Sequence, residues 1–203
     1  MPTRWNEWYS NDNLSKDKRI LAAPPSQCAD IAATEFLARG KRHILDLACG
    51  VGRDTFHLEK RGLSVIGADA SLNGARVANK TKLAMEATSH FLTADALYLP
   101  FENGSLEGAY CFGLLHEFTT EHKEDNVKKV ISEVMRVLSN KGIFILTVLA
   151  GNAKEGLPAV QLFSRQMFEH VMAGWHPIEI KLFDDIGCTN RADYHVWYGL
   201  YEK

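Results

Sequence analysis

The pattern of this chain predicts an α/β fold, a parallel sheet with helices on both faces. Three observations carry that prediction. Short apolar runs recur at 44–47, 63–69, 90–93, 106–112 and 143–149, and helix-forming stretches alternate with them. The first run leads into a turn containing Gly50 and Gly52, and a helical pattern follows over 54–61. The second run ends in an acid, Asp69. A short apolar run bounded by glycine reads as a buried parallel strand. Strand, glycine turn and helix in that order set a ligand at the carboxyl end of the first strand, against a helix N-terminus.

Length and composition bound the rest. At 203 residues a single domain with a sizeable core is expected. The net charge is −2, which argues against a surface built to hold a polyanion, so no DNA partner is expected. No apolar run approaches membrane-spanning length and no charged-then-apolar leader opens the chain, so the expectation is a cytoplasmic protein without a membrane partner. Cys28, Cys49, Cys111 and Cys188 form no Cys-x-x-Cys pair and read as free thiols. His57, His170, His176 and His195 lack metal-ligand spacing, so no metal is assigned.

Taken in order, residues 1–19 are polar with interleaved aromatics, Trp5, Trp8 and Tyr9. As a helix they would put Trp5 and Tyr9 on one face, with Trp8 close by. Aromatics so near a terminus need a surface to cover, either the domain body or the mouth of a site. Pro24 and Pro25 interrupt the chain before Ser26, which can cap a helix with Ile31, Ala32, Phe36 and Leu37 at helical spacing. Gly40 ends that helix and Gly62 the one over 54–61. After Asp69, Ser71 can cap a helix to about residue 88, weakened by an interior Gly74. The third strand leads to Asp95 and Ala96, and the fourth enters Gly113-Leu114-Leu115-His116-Glu117. Thr119 or Thr120 can cap the next helix, with Glu121, Glu124 and Asp125 near its positive end. Its stripe of Val127, Val130, Ile131, Val134 and Leu138 is core. Asn140-Lys141-Gly142 is a turn, and 143–149 is a fully buried strand. A loop over 150–162 precedes a helix over 165–173 capped by Ser164, and the strands 178–183 and 195–201 close the chain.

The glycine turn discriminates between ligands. A dinucleotide-binding turn needs Gly-x-Gly-x-x-Gly, and a phosphate-cradling loop needs Gly-Lys-Ser/Thr; neither occurs here. Asp46 stands two residues before the small-residue series, where it would repel a pyrophosphate and favour a cation. S-adenosylmethionine carries a sulfonium and an ammonium. Asp69, about 20 residues further on, sits where a carboxylate can accept from the two hydroxyls of a ribose.

Asp46-Leu47-Ala48-Cys49-Gly50-Val51-Gly52 resembles the first motif of class I S-adenosylmethionine-dependent methyltransferases, with Ala48 where that motif usually has Gly. Asp69-Ala70-Ser71, the turn Leu99-Pro100-Phe101-Glu102-Asn103-Gly104-Ser105, and Arg136-Val137-Leu138 followed by Gly142 match in order and spacing. Together they cover roughly residues 40–150. The resemblance implies a Rossmann-like seven-stranded sheet of order 3-2-1-4-5-7-6, with strand 7 antiparallel. It implies S-adenosyl-L-methionine as cofactor, held by Asp46, Ala48, Cys49, Gly50, Asp69, Ala70, Leu72, Asp95, Ala96 and Phe112. In that scheme Asp95 accepts from the adenine amino group and the Ala96 amide donates to the ring. Leu72 and Leu97 supply apolar surface to the ring faces, and Arg53 meets the cofactor carboxylate.

The aromatic N-terminus is similar to that of small-substrate members of the thiopurine and tellurite-resistance type (methyltransferase domain 11 or 25). This implies an N-terminal lid and helix over 1–40, a cofactor core over 41–150, and a substrate loop with a strand hairpin over 151–203. Trp5, Trp8, Tyr9 and His116 are then the substrate-facing candidates. Base N-methyltransferases carry Asn/Asp-Pro-Pro-Tyr/Phe where this chain has Phe112-Gly113-Leu114-Leu115, which disfavours base methylation. The expected acceptor is a small molecule or thiol, and the expected assembly a monomer or homodimer. A protein or RNA methyltransferase, or a non-catalytic cofactor-binding protein, is the alternative. Methyl transfer from a sulfonium depends mostly on positioning and exclusion of water. A general base is needed only for a protonated nucleophile, and His116 is the candidate.

Overall fold

The computed structural model describes residues 2–16, 19–118, 123–151, 162–184 and 195–203. The apolar runs form β1 (His43–Leu47), β2 (Ser64–Asp69), β3 (His90–Thr93), β4 (Leu106–Phe112), β5 (Leu138–Ala150), β6 (His176–Asp184) and β7 (His195–Glu202). They make one seven-stranded sheet of order β3-β2-β1-β4-β5-β7-β6. The pairs β1–β2, β1–β4, β2–β3 and β4–β5 are parallel, and β7 runs antiparallel to both its neighbours. This is the strand order that the resemblance implies. Parallel strands put their carboxyl ends on one edge, so Leu47, Asp69, Thr93 and Phe112 all end there.

The helices are α1 (Pro2–Trp8), α2 (Asn11–Lys16), α3 (Arg19–Ala22), α4 (Gln27–Ala38), α5 (Arg53–Lys60), α6 (Leu72–Met85), α7 (Lys123–Val137) and α8 (Arg165–Val171). Two apolar cores form, one on each face of the sheet. One gathers Val127, Val130, Ile131 and Val134 of α7 with Phe168 of α8 against Phe144 and Leu146. The other gathers Cys28, Ala32 and Phe36 of α4 with Leu58 of α5 against Ile44, Val65 and Ile145. The small residues of α4 let that helix lie close on the sheet. The three serine caps form as read: Ser26, Ser71 and Ser164 accept from the amides of Ala29, Gly74 and Met167.

Several boundaries differ by a residue or two from the sequence reading, α8 ending at Val171 and β6 spanning His176–Asp184, and two further differences have a visible cause. α6 stops at Met85 because Glu86 turns left-handed at φ 53° and its amide bonds back to the last turn. β5 starts at Leu138, so the turn at Asn140-Lys141-Gly142 is an irregularity inside it. There Leu106 pairs with Leu138 and Gly108 already pairs with Ile143, and Lys141 takes φ 59° to absorb the slack. Thr119, Thr120, Glu121, Cys188 and most of the loop over 150–162 lie outside the described residues.

One buried knot ties the two helix starts on one face to the sheet. The Asp54 carboxylate accepts from the Ser26 amide at 2.9 Å and the Ser26 hydroxyl at 2.7 Å, and from the Tyr110 hydroxyl at 3.0 Å. Ser26 thus caps α4 while holding the acid in the first turn of α5, where the helix dipole favours negative charge. Removing its hydroxyl takes away a cap and leaves a buried carboxylate short of a donor. Ser26→Ala should cost about 2–3 kcal/mol. It should lower the urea midpoint at unchanged slope, since the exposed surface on unfolding stays the same.

Candidate active site

Two adjoining cavities open at the carboxyl edge of β1, β2 and β4. The smaller, about 140 Å³, is lined by Leu47, Ala48, Asp69, Ala70, Ala94, Ala96 and Phe112, with Trp5 and Tyr9 across from them. The larger, about 440 Å³, is lined by Asp46, Ala48, Cys49, Gly50, Arg53, Phe112 and His116, with Trp5, Trp8 and Tyr9. Glu117 lines both.

The loop after β1 is built from left-handed residues. Ala48, Gly50 and Gly52 have φ of 63°, 57° and 86°. A residue with a Cβ pays roughly 1–2 kcal/mol for this conformation, which gives the physical reason a Gly is the ordinary choice where Ala48 stands. At Gly50 a Cβ would lie 2.5 Å from the Tyr9 hydroxyl, so a side chain there would push the Tyr9 ring aside as well as strain the left-handed backbone. Asp69 pins the loop. One of its oxygens accepts from the Gly50 amide at 2.8 Å and the other from the Ser71 amide at 2.7 Å. Each carboxylate oxygen retains a lone pair for a further donor. Burial raises the Asp69 pKa, and those two amide bonds oppose the rise.

Asp46 lies deeper, only 2% exposed. Its one described hydrogen bond comes from the Thr55 hydroxyl at 2.5 Å. Burial, and then the neighbouring Asp54 carboxylate, push its pKa up to about 7. A carboxylate in that position is under-compensated, and a cation beside it would relieve the penalty. Arg53 is held by Asp54 at 3.0 Å and its guanidinium lies 5.5 Å from the centre of the Phe112 ring.

Opposite the loop, a 3-10 turn (Leu115–Glu117) follows β4. His116 is 8% exposed, its Nδ1 has no partner among the described residues, and burial holds its pKa down to about 4. The imidazole is therefore neutral at pH 7. Glu117 takes an ion pair at 3.2 Å from Arg4. α1 spans the mouth from that pair to α6. There Asn6 accepts from the Asn73 amide at 2.9 Å and receives the Asn73 side chain on its carbonyl at 2.8 Å, while the Ser71 hydroxyl donates to the Trp5 carbonyl. Trp5 and Tyr9 stack with ring centres 6.0 Å apart.

Of the residues singled out from sequence, Asp46, Ala48, Cys49, Gly50, Arg53, Asp69, Ala70, Ala96, Phe112, His116, Trp5, Trp8 and Tyr9 line one cavity or both. Leu72, Asp95 and Leu97 do not. Leu72 is exposed, and Asp95 is an exposed residue whose carboxylate accepts from the Leu97 amide at 3.0 Å. The reading missed any role for Glu117, and it missed the lining residues Ala94 and Leu114. An acid beside a histidine on the turn after a strand end was the available signal. Among the described residues no group of three or more His, Cys, Asp or Glu side chains could hold a metal, and no helix is long and apolar enough to cross a membrane.

The model of a family described as "Methyltransferase domain" matches residues 45–146. An uncharacterized methyltransferase of Synechocystis sp. is 33% identical over 106 residues, which is 52% of this chain and 46% of that protein. A glycine/sarcosine N-methyltransferase of Parasynechococcus marenigrum is 31% identical over 114 residues, 53% of this chain and 38% of that protein. The chain thus spans less than half the length of these curated relatives. The fold matches that of a SAM-dependent methyltransferase of Methanosarcina mazei at a TM-score of 0.71 and 16% identity, covering 80% of this chain and 93% of that one.

Asp46 gives a prediction with a definite sign. Its folded pKa lies above the ordinary value of 3.8, so ionising it destabilises the fold. The penalty is absent below pH 4, grows as pH rises, and is complete above pH 7. Asp46→Asn should therefore stabilise the ligand-free protein at pH 8 by about 1–4 kcal/mol, with the gain fading toward pH 4. Urea titrations at the two pH values measure it.

Proposed function

The chain belongs to the methyltransferase domain family, and from that premise we propose that it transfers the methyl group of S-adenosylmethionine to a small-molecule acceptor. One observation carries the cofactor assignment. Two buried carboxylates, Asp46 and Asp69, flank a left-handed loop whose Gly50 is packed against the Tyr9 hydroxyl. Asp46 has no ion pair among the described residues and feels the Arg53 charge only as a minor influence, and Asp69 keeps lone pairs free beside a loop amide. These are the needs of a ligand with an ammonium or sulfonium at one end and a vicinal diol further along.

In this reading Asp46 compensates the cofactor's positive end and Arg53 its carboxylate. Asp69 takes the ribose hydroxyls, and Ala94, Ala96 and Ala70 leave a thin apolar slot for the adenine. Asp95 stays the candidate for the adenine amino group, since the residues on either side of it line the cavity. Bound S-adenosylmethionine supplies an electrophilic methyl whose leaving group is a neutral thioether. The chain's own task is to orient the acceptor for in-line attack and to keep water out. α1 serves as the lid, with Trp5, Trp8 and Tyr9 as its inner wall. His116, neutral at pH 7, can take a proton from the acceptor. A base with a pKa near 4 does so only once the acceptor has gained positive charge. The small-substrate assignment rests on the modest size of the two adjoining cavities and on the helix that spans their mouth.

Two outcomes are expected. S-adenosylhomocysteine should raise the melting temperature by mass action, and Asp69→Ala should abolish most of that rise. An unchanged rise in the variant would remove Asp69 from the site, and a rise with NAD instead would overturn the cofactor assignment. For the lid, point changes are the cleaner probe, because Leu14 is part of the buried core and a deletion through it would expose apolar surface. The double variant Trp5→Ala, Tyr9→Ala should stay folded and lose at least ~10-fold in methyl incorporation from labelled cofactor into a metabolite extract. Full activity would reduce α1 to packing.

A further inference from the structure

The cofactor reading leaves one partly buried acid at the cavity walls without a task. Asp54 is held by Ser26, Tyr110 and Arg53, Asp69 by two amides, and Asp46 by Thr55. The cofactor assignment uses Asp46 and Asp69 further. Glu117 lines both cavities with its side chain 11% exposed. Its ion-pair partner at 3.2 Å is Arg4, on a terminal helix, with a side chain 59% exposed. A pair so open to water on one side is weak, and it compensates a partly buried carboxylate poorly.

The walls around Glu117 suit a cation. Trp5, Trp8, Tyr9 and Phe112 line the larger cavity. Two of these rings already carry the protein's own guanidinium groups, Arg4 at 5.3 Å from the Trp5 centre and Arg53 at 5.5 Å from that of Phe112. An aromatic face attracts a cation in this way, more strongly when water is excluded. His116 lies beside Glu117, with Nε2 at 3.8 Å from the carboxylate, and its buried Nδ1 has no partner among the described residues. Being neutral, it adds no positive charge that would oppose a cationic ligand.

We propose that Glu117 is the acceptor-recognising group of this site. The acceptor it selects is a small molecule with an apolar or aromatic skeleton and a basic nitrogen, whose ammonium takes the place of Arg4 on the Glu117 carboxylate. The inference deepens the methyltransferase reading and rests on it. An ammonium has no lone pair, so the methylated atom is a different atom of the same molecule. Arg4 then holds the carboxylate until the acceptor arrives, and it competes with the acceptor for that position.

Three probes of one skeleton test this: 2-phenylethylamine, 2-phenylethanol and phenylacetate. Each is titrated calorimetrically into the full chain, with and without saturating S-adenosylhomocysteine. The amine should bind at least ~10-fold more tightly than the alcohol, and the acid not detectably. Glu117→Gln should erase that preference and change S-adenosylhomocysteine affinity by less than ~3-fold. Arg4→Gln should strengthen amine binding about 2–5-fold, because the competing cation is gone. A simple latch between Arg4 and Glu117 predicts otherwise, with both variants weakening binding alike, and that result would overturn the proposal. So would equal binding of amine and alcohol, a preference that survives Glu117→Gln, or no binding of any probe at millimolar concentration. Failure of the wild type to bind S-adenosylhomocysteine would strike the cofactor reading instead, and the titrations without it judge Glu117 separately.

Discussion

The Asp69 carboxylate is the joint on which the site depends. It is the last residue of β2, and its two oxygens hold the amides of Gly50 and Ser71. One bond fixes the loop after β1 and the other fixes the turn into α6. Ser71 in turn caps α6 and donates to the Trp5 carbonyl of α1, so the same turn also anchors α1. Hydrogen bonds from backbone amides compensate much of the cost of burying Asp69 and leave lone pairs over for a ligand.

The edge where the parallel strands end collects negative charge. Asp46, Asp54 and Asp69 are all buried within this small region. Of these, Asp54 is satisfied by hydroxyls, an amide and Arg53, and serves the fold. Asp46 is not, and burial with Asp54 nearby holds its pKa near 7. A domain chosen for stability alone would put a neutral group there. Retaining a poorly compensated acid at a cavity wall is the pattern expected where a cationic ligand supplies the missing charge. Ala48 is a smaller case of the same tension, because its methyl group sits on a left-handed residue that glycine would occupy without strain.

α1 is attached by polar contacts at both ends of a short span, Asn6 to Asn73 on one side and Arg4 to Glu117 on the other. Trp5 lines both cavities, while Trp8 lines the larger one and is 48% exposed. Attachment by a few part-buried hydrogen bonds and one weak ion pair suits the lid role proposed for this helix, since such contacts break at low cost.

Much of this was legible in the linear chain. Strand periods, serine caps and the turns at Gly40 and Gly62 are local, and each depends on residues within one or two turns of itself. The strand order was not read from these local signals; it was what the family resemblance of the motifs around Asp46 and Asp69 implied, and the sheet has that order. The sequence could not say that Glu86 would end α6 early, nor that β5 would absorb the Asn140-Lys141-Gly142 turn as a bulge. Both depend on what the neighbouring strand and helix leave free. Nor could it distinguish the cavity-lining Asp69 from Asp95, whose carboxylate serves its own turn. Glu117 is the sharpest case. By sequence it is one acid after a histidine, and only the sheet brings it across from Asp46 and Asp69, under a helix more than a hundred residues earlier in the chain. Local patterns determine which elements form, because propensity and capping act over a few residues. Burial, compensation of charge and the closing of a cavity belong to contacts between distant segments, and tertiary structure alone decides them.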